Sequence, residues 1–293
     1  MSSIWVFSIH GTVCASASPM TGSQKRDLES QHNGIKARIQ SYHNLIEYEE
    51  AKEEEILVTM AHPDLTEKHR ALLNEPSNKV LHPDIDSDLR TEHVVALLQK
   101  EGELGNTLID HMMSRYAHKH SNHHYFQSSF WDKLMKEEFS SASNWHRRVR
   151  LAEKQLIFIP ILFILPGGNH WTLIVVEPQR QQIRMYNSIS KFSALNETAL
   201  KLVKRYLVYL EHRGIEPNLN ASSFETIDVS TAPRQTDTSS CGIFVITNMC
   251  YLSDGRPLDY QQGHILYARR LLAQEVLSGK CFLRQQPMLF GFQ

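Results

Sequence analysis

Pro233-Arg234-Gln235-Thr236-Asp237-Thr238-Ser239-Ser240-Cys241-Gly242 runs directly into Ile243-Phe244-Val245-Ile246-Thr247-Asn248-Met249-Cys250-Tyr251-Leu252, and this junction decides the fold. Polar turn residues give way at Cys241 to a run that is too long for a typical strand. A buried helix over Cys241 to Leu252 is therefore expected, despite its β-branched residues. Its first residue is a cysteine. At a helix N-terminus the unsatisfied N–H groups and the positive end of the dipole stabilise a thiolate and lower its pKa, the usual setting of a reactive cysteine.

Working outward, Leu156 to Leu165, Trp171 to Val176 and Ile183 to Tyr186 read as central strand regions separated by Pro166-Gly167-Gly168 and Glu177-Pro178-Gln179-Arg180. The first of these, interrupted by Pro160, reads as a strand pair. His170 sits where Gly167-Gly168-Asn169 feeds a strand, and Asn187 ends the next strand, so a hairpin places them side by side. A cysteine hydrolase needs a thiolate, a histidine to take and return its proton, a third group to orient the histidine, and oxyanion donors. Cys241, His170, Asn187 and Gln235 supply these types in the order His, Asn, Gln, Cys, with the Cys241 backbone N–H as a second oxyanion donor. Alone, a buried Cys is a small hydrophobe and a buried His a structural residue. Their combined setting carries the reading.

Further out, Leu200, Val203, Leu207 and Leu210 mark a helix over Asn196 to His212, ended by Gly214 and Pro217. Phe224 to Val229 reads as a strand and Tyr260 to Leu277 as a last helix. Leu89 to Leu98 and Leu104 to Tyr116 read as helices broken near Gly102 and Gly105. The pattern is α+β. Ile35, Ile39, Tyr42 and Ile46 lie on one stripe of a helix between Gln24 and about Ala61, followed by a Glu-rich run over residues 47–55 that reads as a solvated face. The first twenty residues carry no period and read as a disordered lead. Two His-Pro-Asp tripeptides, at His62 and His82, read as punctuation. The expected division is an extension over 1–78 and a catalytic domain over 79–293.

The 293 residues carry 31 Lys and Arg against 32 Asp and Glu, a formal charge of -1, so no overall field gathers nucleic acid or anionic lipid. Neither a nucleic-acid nor a membrane partner is expected, and the apolar run Leu156 to Leu165 is about half of the ~20 residues a membrane helix needs. The four cysteines are widely spaced, which points to free thiols in a reducing intracellular compartment, nucleus or cytoplasm. Secretion stays open as the alternative, because Ile4 to Val13 followed by Ala15-Ser16-Ala17 faintly imitates a leader.

Several stretches now fall into a known order. They are Phe126 to Leu134, Asn144 to Val149, Ile157 to Ile161, Asn169-His170-Trp171, Met185 to Ile189, Gln235, Cys241 to Phe244, and Arg269-Arg270. Over about Lys79 to Phe282 the chain resembles the ubiquitin-like-protein-specific proteases, the SUMO-protease family. The resemblance implies a papain-like cysteine protease with a central mixed sheet flanked by helices, a monomer without cofactor or metal. Its partner would be SUMO or a related ubiquitin-like protein and its conjugates. It makes Cys241 the nucleophile, His170 the base, Asn187 the orienting residue, Gln235 an oxyanion donor, and Trp171 a wall of the channel that holds a Gly-Gly tail.

Three departures stand out. Asn187 occupies a place where the family normally has Asp, and its carbonyl oxygen accepts from the imidazole without offering a full charge, as in papain-like enzymes. Glu103-Leu104-Gly105-Asn106 corresponds to a Trp-Leu-Asn-Asp motif and lacks its Trp. Ser240 replaces an Asp before the nucleophile, removing a local charge. Two other functions remain as alternatives: an acyltransferase of the same clan, and a catalytically weak modifier-binding protein.

Three further groups stand outside this constellation. His118, His120, His123 and His124 lack a completing Cys or carboxylate at ligand spacing and read as a solvated helix end. Arg147, Arg148, Arg150 and Lys154 form a compact basic patch, open to an acidic partner surface or to solvent. Cys250 lies about 180° around the helix from Cys241 and should face elsewhere.

Overall fold

The structure, a computed structural model, describes residues 21–23, 25, 29–37, 40, 79–82, 86–279 and 283. The chain separates into two compact units, residues 1–55 and 56–293. In the first, residues 29–37 are helical and exposed, with Ile35 57% exposed. Ile39, Tyr42, Ile46, the Glu-rich run, the first His-Pro-Asp tripeptide and the lead all lie outside the described residues.

The second unit opens with strands β1 (Val80–His82) and β2 (Asp86–Arg90), an antiparallel pair with Val80 opposite Arg90. Helix α1 (Thr91–Leu98) follows. Leu89 thus lies in a strand and not, as the apolar pattern suggests, in the helix. Hydrogen bonds across the β1-β2 pair and at the helix start set that boundary: Thr91 donates from both its N–H and its hydroxyl to the Lys79 carbonyl, and the Arg90 N–H is capped by His93 Nδ1 at 2.9 Å. Helix α2 (Asn106–Ala117) comes next, then strand β3 (His123–Tyr125) and the short helices α3 (Ser129–Met135) and α4 (Phe139–Ser143).

Strands β4 (Leu156–Leu165), β5 (Gly168–Glu177), β6 (Gln182–Tyr186) and β7 (Glu225–Asp228) join β3 in a five-stranded mixed sheet of order β3-β4-β5-β6-β7. The outer pairings β3-β4 and β6-β7 are parallel and the two central ones antiparallel. The run Leu156–Leu165 is one ten-residue strand and not a pair. Pro160 is tolerated inside it because β3 pairs only with residues 156 to 158, so Pro160, opposite Leu173 on β5, lies where the β3 side of the ladder has ended.

Side-chain alternation at period two divides the core into two layers. Ile157, Ile159, Ile161, Ile174, Val176, Ile183 and Met185 face α3, α4 and the long helix α5 (Ser193–His212). Phe158, Leu173, Val175 and Tyr186 face α1, α2, α6 (Cys241–Ser253) and α7 (Ile265–Ser278). The sheet between two helical layers matches the expected α+β arrangement. Helix α6 is buried all round, Leu252 alone being partly exposed, which is why its sequence shows no amphipathic stripe. The basic patch is exposed at Arg147, Arg148 and Arg150. The histidine group is not simply a solvated helix end: His123 is buried in β3 with its ring stacked on His120, whose Nε2 lies 3.3 Å from Asp254 Oδ1. Among the described residues no helix is long and apolar enough to cross a membrane.

Candidate active site

Strand β5 carries His170 near its start, at the end of the β4-β5 hairpin where Leu165 faces Gly168. Gly168 holds φ +125°, a conformation an L side chain resists, and so permits the tight reversal that aims β5. Leu173 pairs with Tyr186, and continuing this register sets Asn187 opposite Thr172, diagonal to His170 on the same face. The two side chains meet: His170 Nε2 lies 2.8 Å from Asn187 Oδ1, both residues being buried. Because Oδ1 can only accept, Nε2 carries the proton and Nδ1 is left with the lone pair. The Phe192 ring, 5.1 Å from the imidazole between centroids, backs it.

Cys241 is the first residue of α6, 5% exposed, so its N–H and that of Gly242 have no acceptor within the helix. The N–H groups of Trp171 and Gly242 both interact with the sulfur. Trp171 directly follows His170, so the start of β5 brings its backbone to the sulfur. Burial pushes the Cys241 thiol up, with Glu103 and Asp237 adding to the rise, and outweighs the opposing N–H contacts. Burial likewise lowers the His170 pKa against the raising effect of the Asn187 bond. The helix terminus thus does not produce the lowered thiol pKa its position suggests, because desolvation costs the charged form more. Both shifts favour the uncharged form of the group concerned.

The loop before Cys241 is sewn to the residues after β6. Arg234 donates to the Asn187 carbonyl, the Gln235 N–H donates to the Ser188 carbonyl at 3.0 Å, and the Ser188 hydroxyl donates to Gln235 Oε1 at 2.6 Å. This orients the Gln235 amide, and one of its N–H groups reaches the Asp237 carbonyl at 2.9 Å. The other is not committed by that bond.

Ser240 does not leave Cys241 without a nearby carboxylate. Asp237 accepts from the N–H of Ser239 and Ser240, from the Ser240 hydroxyl at 2.6 Å, and from the Gln262 amide at 2.7 Å. Behind them Arg269, fully buried, donates to the carbonyls of Ala96, Gly102 and Ser239 and to Ser240 Oγ. Trp171 is buried too, and its indole N–H donates to the Leu104 carbonyl at 2.8 Å. Leu104 in turn packs on Gly242, so this segment lies against the start of α6. Cys250 is buried in the core layer of α6. Phe192, Asn196, Asp228 and Asp237 were not singled out by sequence. Only Asp237, three residues before Ser240 in a turn-rich stretch, had a local signal that could have revealed it.

Residues 101–278 match the Ulp1 protease family, C-terminal catalytic domain, and the chain belongs to that family. It is a cysteine peptidase with the fold of those enzymes. The chain is 23% identical over 239 residues to ubiquitin-like-specific protease ESD4 of Arabidopsis thaliana, covering 76% of this chain and 47% of that protein. It is 26% identical over 155 residues to sentrin-specific protease 3 of Homo sapiens, covering 52% of this chain and 25% of that protein. It thus spans about half or less of the length of these two relatives. Among solved structures, the C-terminal Ulp1 protease domain in complex with SMT3, the yeast ortholog of SUMO, superposes with TM-score 0.63 at 22% identity. The match covers 73% of this chain and 94% of that one. The Chaetomium thermophilum Ulp1-like SUMO protease catalytic domain superposes with TM-score 0.56 at 20% identity, covering 74% and 89%.

Proposed function

We propose that the chain is a thiol protease and isopeptidase that cuts after the C-terminal Gly-Gly of SUMO or a related ubiquitin-like modifier, with His170, Asn187 and Cys241 as its triad. The observation that carries this is the 2.8 Å bond from His170 to Asn187, which leaves Nδ1 free for a thiol held at the mouth of α6. His170 Nδ1 takes the Cys241 proton as the sulfur attacks the glycine carbonyl. Negative charge moves onto the carbonyl oxygen, which accepts from the Cys241 N–H and the uncommitted Gln235 N–H. The imidazolium returns the proton to the departing amine, leaving a thioester. Water, deprotonated by the same His170, then attacks that thioester and frees the modifier's carboxylate and the thiol.

Trp171, packed beside the nucleophile, forms one wall of the tail's path. Two glycines suit such a route because they carry no side chain to clear it. The modifier preference is read from the names of the relatives, and the chemistry from the triad. A reducing intracellular compartment fits an enzyme that works through a free thiol. Residues 1–78 are read as an extension outside the catalytic domain 79–293.

The test uses modifiers bearing a C-terminal electrophile on the full chain. One of them should label Cys241 covalently, and Cys241→Ala should abolish the label while leaving Cys250 unlabelled. Intact folded protein that binds a modifier yet takes no label would instead make it a binding protein.

A further inference from the structure

Asn187 is not the end of the line of groups that begins at His170. Its Nδ2 donates to Asn196 Oδ1 at 2.7 Å, and Asn196 Nδ2 donates to Asp228 Oδ2 at 2.9 Å. Asn187 and Asn196 are 0% and 1% exposed, whereas Asp228 is exposed at the end of β7. The three come from different elements: the turn after β6, the first turn of α5, and the last residue of β7, whose register is fixed by Met185 pairing with Asp228.

We infer that Asp228 is a positioning residue for His170, acting through Asn196 and Asn187 in place of the charge that an aspartate at 187 would carry. A carboxylate only accepts, so Asn196 must turn its NH2 to Asp228 and its oxygen to Asn187. Asn187 must then turn its NH2 to Asn196 and its oxygen to His170. At the other end the Ile189 N–H, which only donates, also reaches Asn187 Oδ1 at 2.8 Å. Both ends impose the same polarity, and no amide in the line can flip without setting acceptor against acceptor or donor against donor. The Ile189 N–H alone orients the Asn187 oxygen. What Asp228 adds is a negative charge that polarises both amides, strengthens the acceptor facing Nε2–H, and favours the imidazolium when it forms. This rests on His170 being the base of the proposed reaction.

The same line makes a statement about Asn187→Asp that charge alone does not. A carboxylate at 187 faces Asn196 Oδ1, acceptor against acceptor. If Asn196 turns to relieve this, its oxygen faces Asp228 instead. The substitution is therefore frustrated while Asp228 remains and relieved by Asp228→Asn, whose amide donates.

The experiment has two arms on the full chain. With a modifier carrying a fluorogenic C-terminal amide, Asp228→Asn should lower kcat roughly tenfold with KM and Tm unchanged, and Asp228→Glu should recover part of the loss. The double variant Asn187→Asp with Asp228→Asn should exceed Asn187→Asp alone in kcat by about the same factor. In the second arm, nitrogen NMR of histidine-labelled protein, with the His170 signals assigned by His170→Gln, should show Nε2 protonated. The His170 titration midpoint should move down in Asp228→Asn. This arm needs no turnover, so a chain without protease activity fails the proposed function while still deciding the relay. An Asp228→Asn enzyme within twofold of the parent and with the His170 titration unmoved overturns it. So does a loss of kcat that tracks a fallen Tm without any change in titration.

Discussion

The two halves of the site stand on different foundations. Around Cys241 the supporting charges reach into the core: Asp237, half-buried, is bonded directly to the buried Ser239 and Ser240, and Arg269, fully buried behind them, ties that loop to the carbonyls of Ala96 and Gly102. Around His170 the nearest carboxylate in the hydrogen-bonded line, Asp228, stands two amides away at an exposed strand end. An internal charge network cannot be cut without leaving desolvated partners behind, whereas an exposed carboxylate is readily solvated when its partner is lost. The difference teaches that damage on the Cys241 side should appear as lost stability, and damage on the outer His170 side as lost rate.

The sharpest way to break this comparison is Arg269→Ala. It should cost about 3 to 5 kcal/mol in urea unfolding, because it opens a cavity and strands four acceptors that the guanidinium now serves. A variant that keeps its stability and loses only turnover would erase the distinction between the two sides.

Acid offers the next largest effect, in the helical layer that also holds Asn196. His146 is 1% exposed, its Nε2 2.8 Å from the Tyr206 hydroxyl, and burial lowers its pKa to about 4. It stays neutral, so its 3.9 Å approach to Glu216 is not an ion pair. Between pH 6.5 and about 4 the unfolded chain binds a proton that the folded chain refuses. Stability is therefore full above 6.5 and falls as pH is lowered, by up to about 3 kcal/mol from this residue. His146→Phe should begin less stable at pH 7, having lost the Tyr206 bond, and should show a flatter fall toward pH 4 in calorimetry.

A smaller effect is expected of Gly242→Ala. Its Cβ would stand 2.9 Å from Leu104 Cβ and 3.1 Å from Leu104 Cγ, a clash that shifts the segment whose carbonyl holds the Trp171 indole. Overpacking of this kind costs about 1 to 3 kcal/mol. Thermal melting should report the loss, and the rate of Cys241 labelling should slow with it. An unchanged melting temperature would mean that Leu104 yields freely.

What could be read beforehand follows from how local each signal is. The turn-to-helix junction at Cys241 and the hairpin linking His170 to Asn187 are encoded within a few residues, and both stand as expected. The boundary at Leu89 is not legible in the sequence, because an apolar residue before a helix has the pattern of its first turn, while the Lys79 contact that closes the strand is twelve residues from Thr91. Pro160 has the pattern of a strand break, because sequence does not show where a neighbouring strand ends.

The sequence by itself determined the family, the α+β class and the order of the candidate residues His170, Asn187, Gln235 and Cys241, because period, turn chemistry and motif spacing are local properties of the chain. Only the tertiary structure decided the burial and support of those residues. Desolvation of Cys241 and His170 depends on what both core layers bury. Asn196 lies 9 residues from Asn187 and Ala96 lies 173 from Arg269, and no local pattern specifies a hydrogen bond closed by folding.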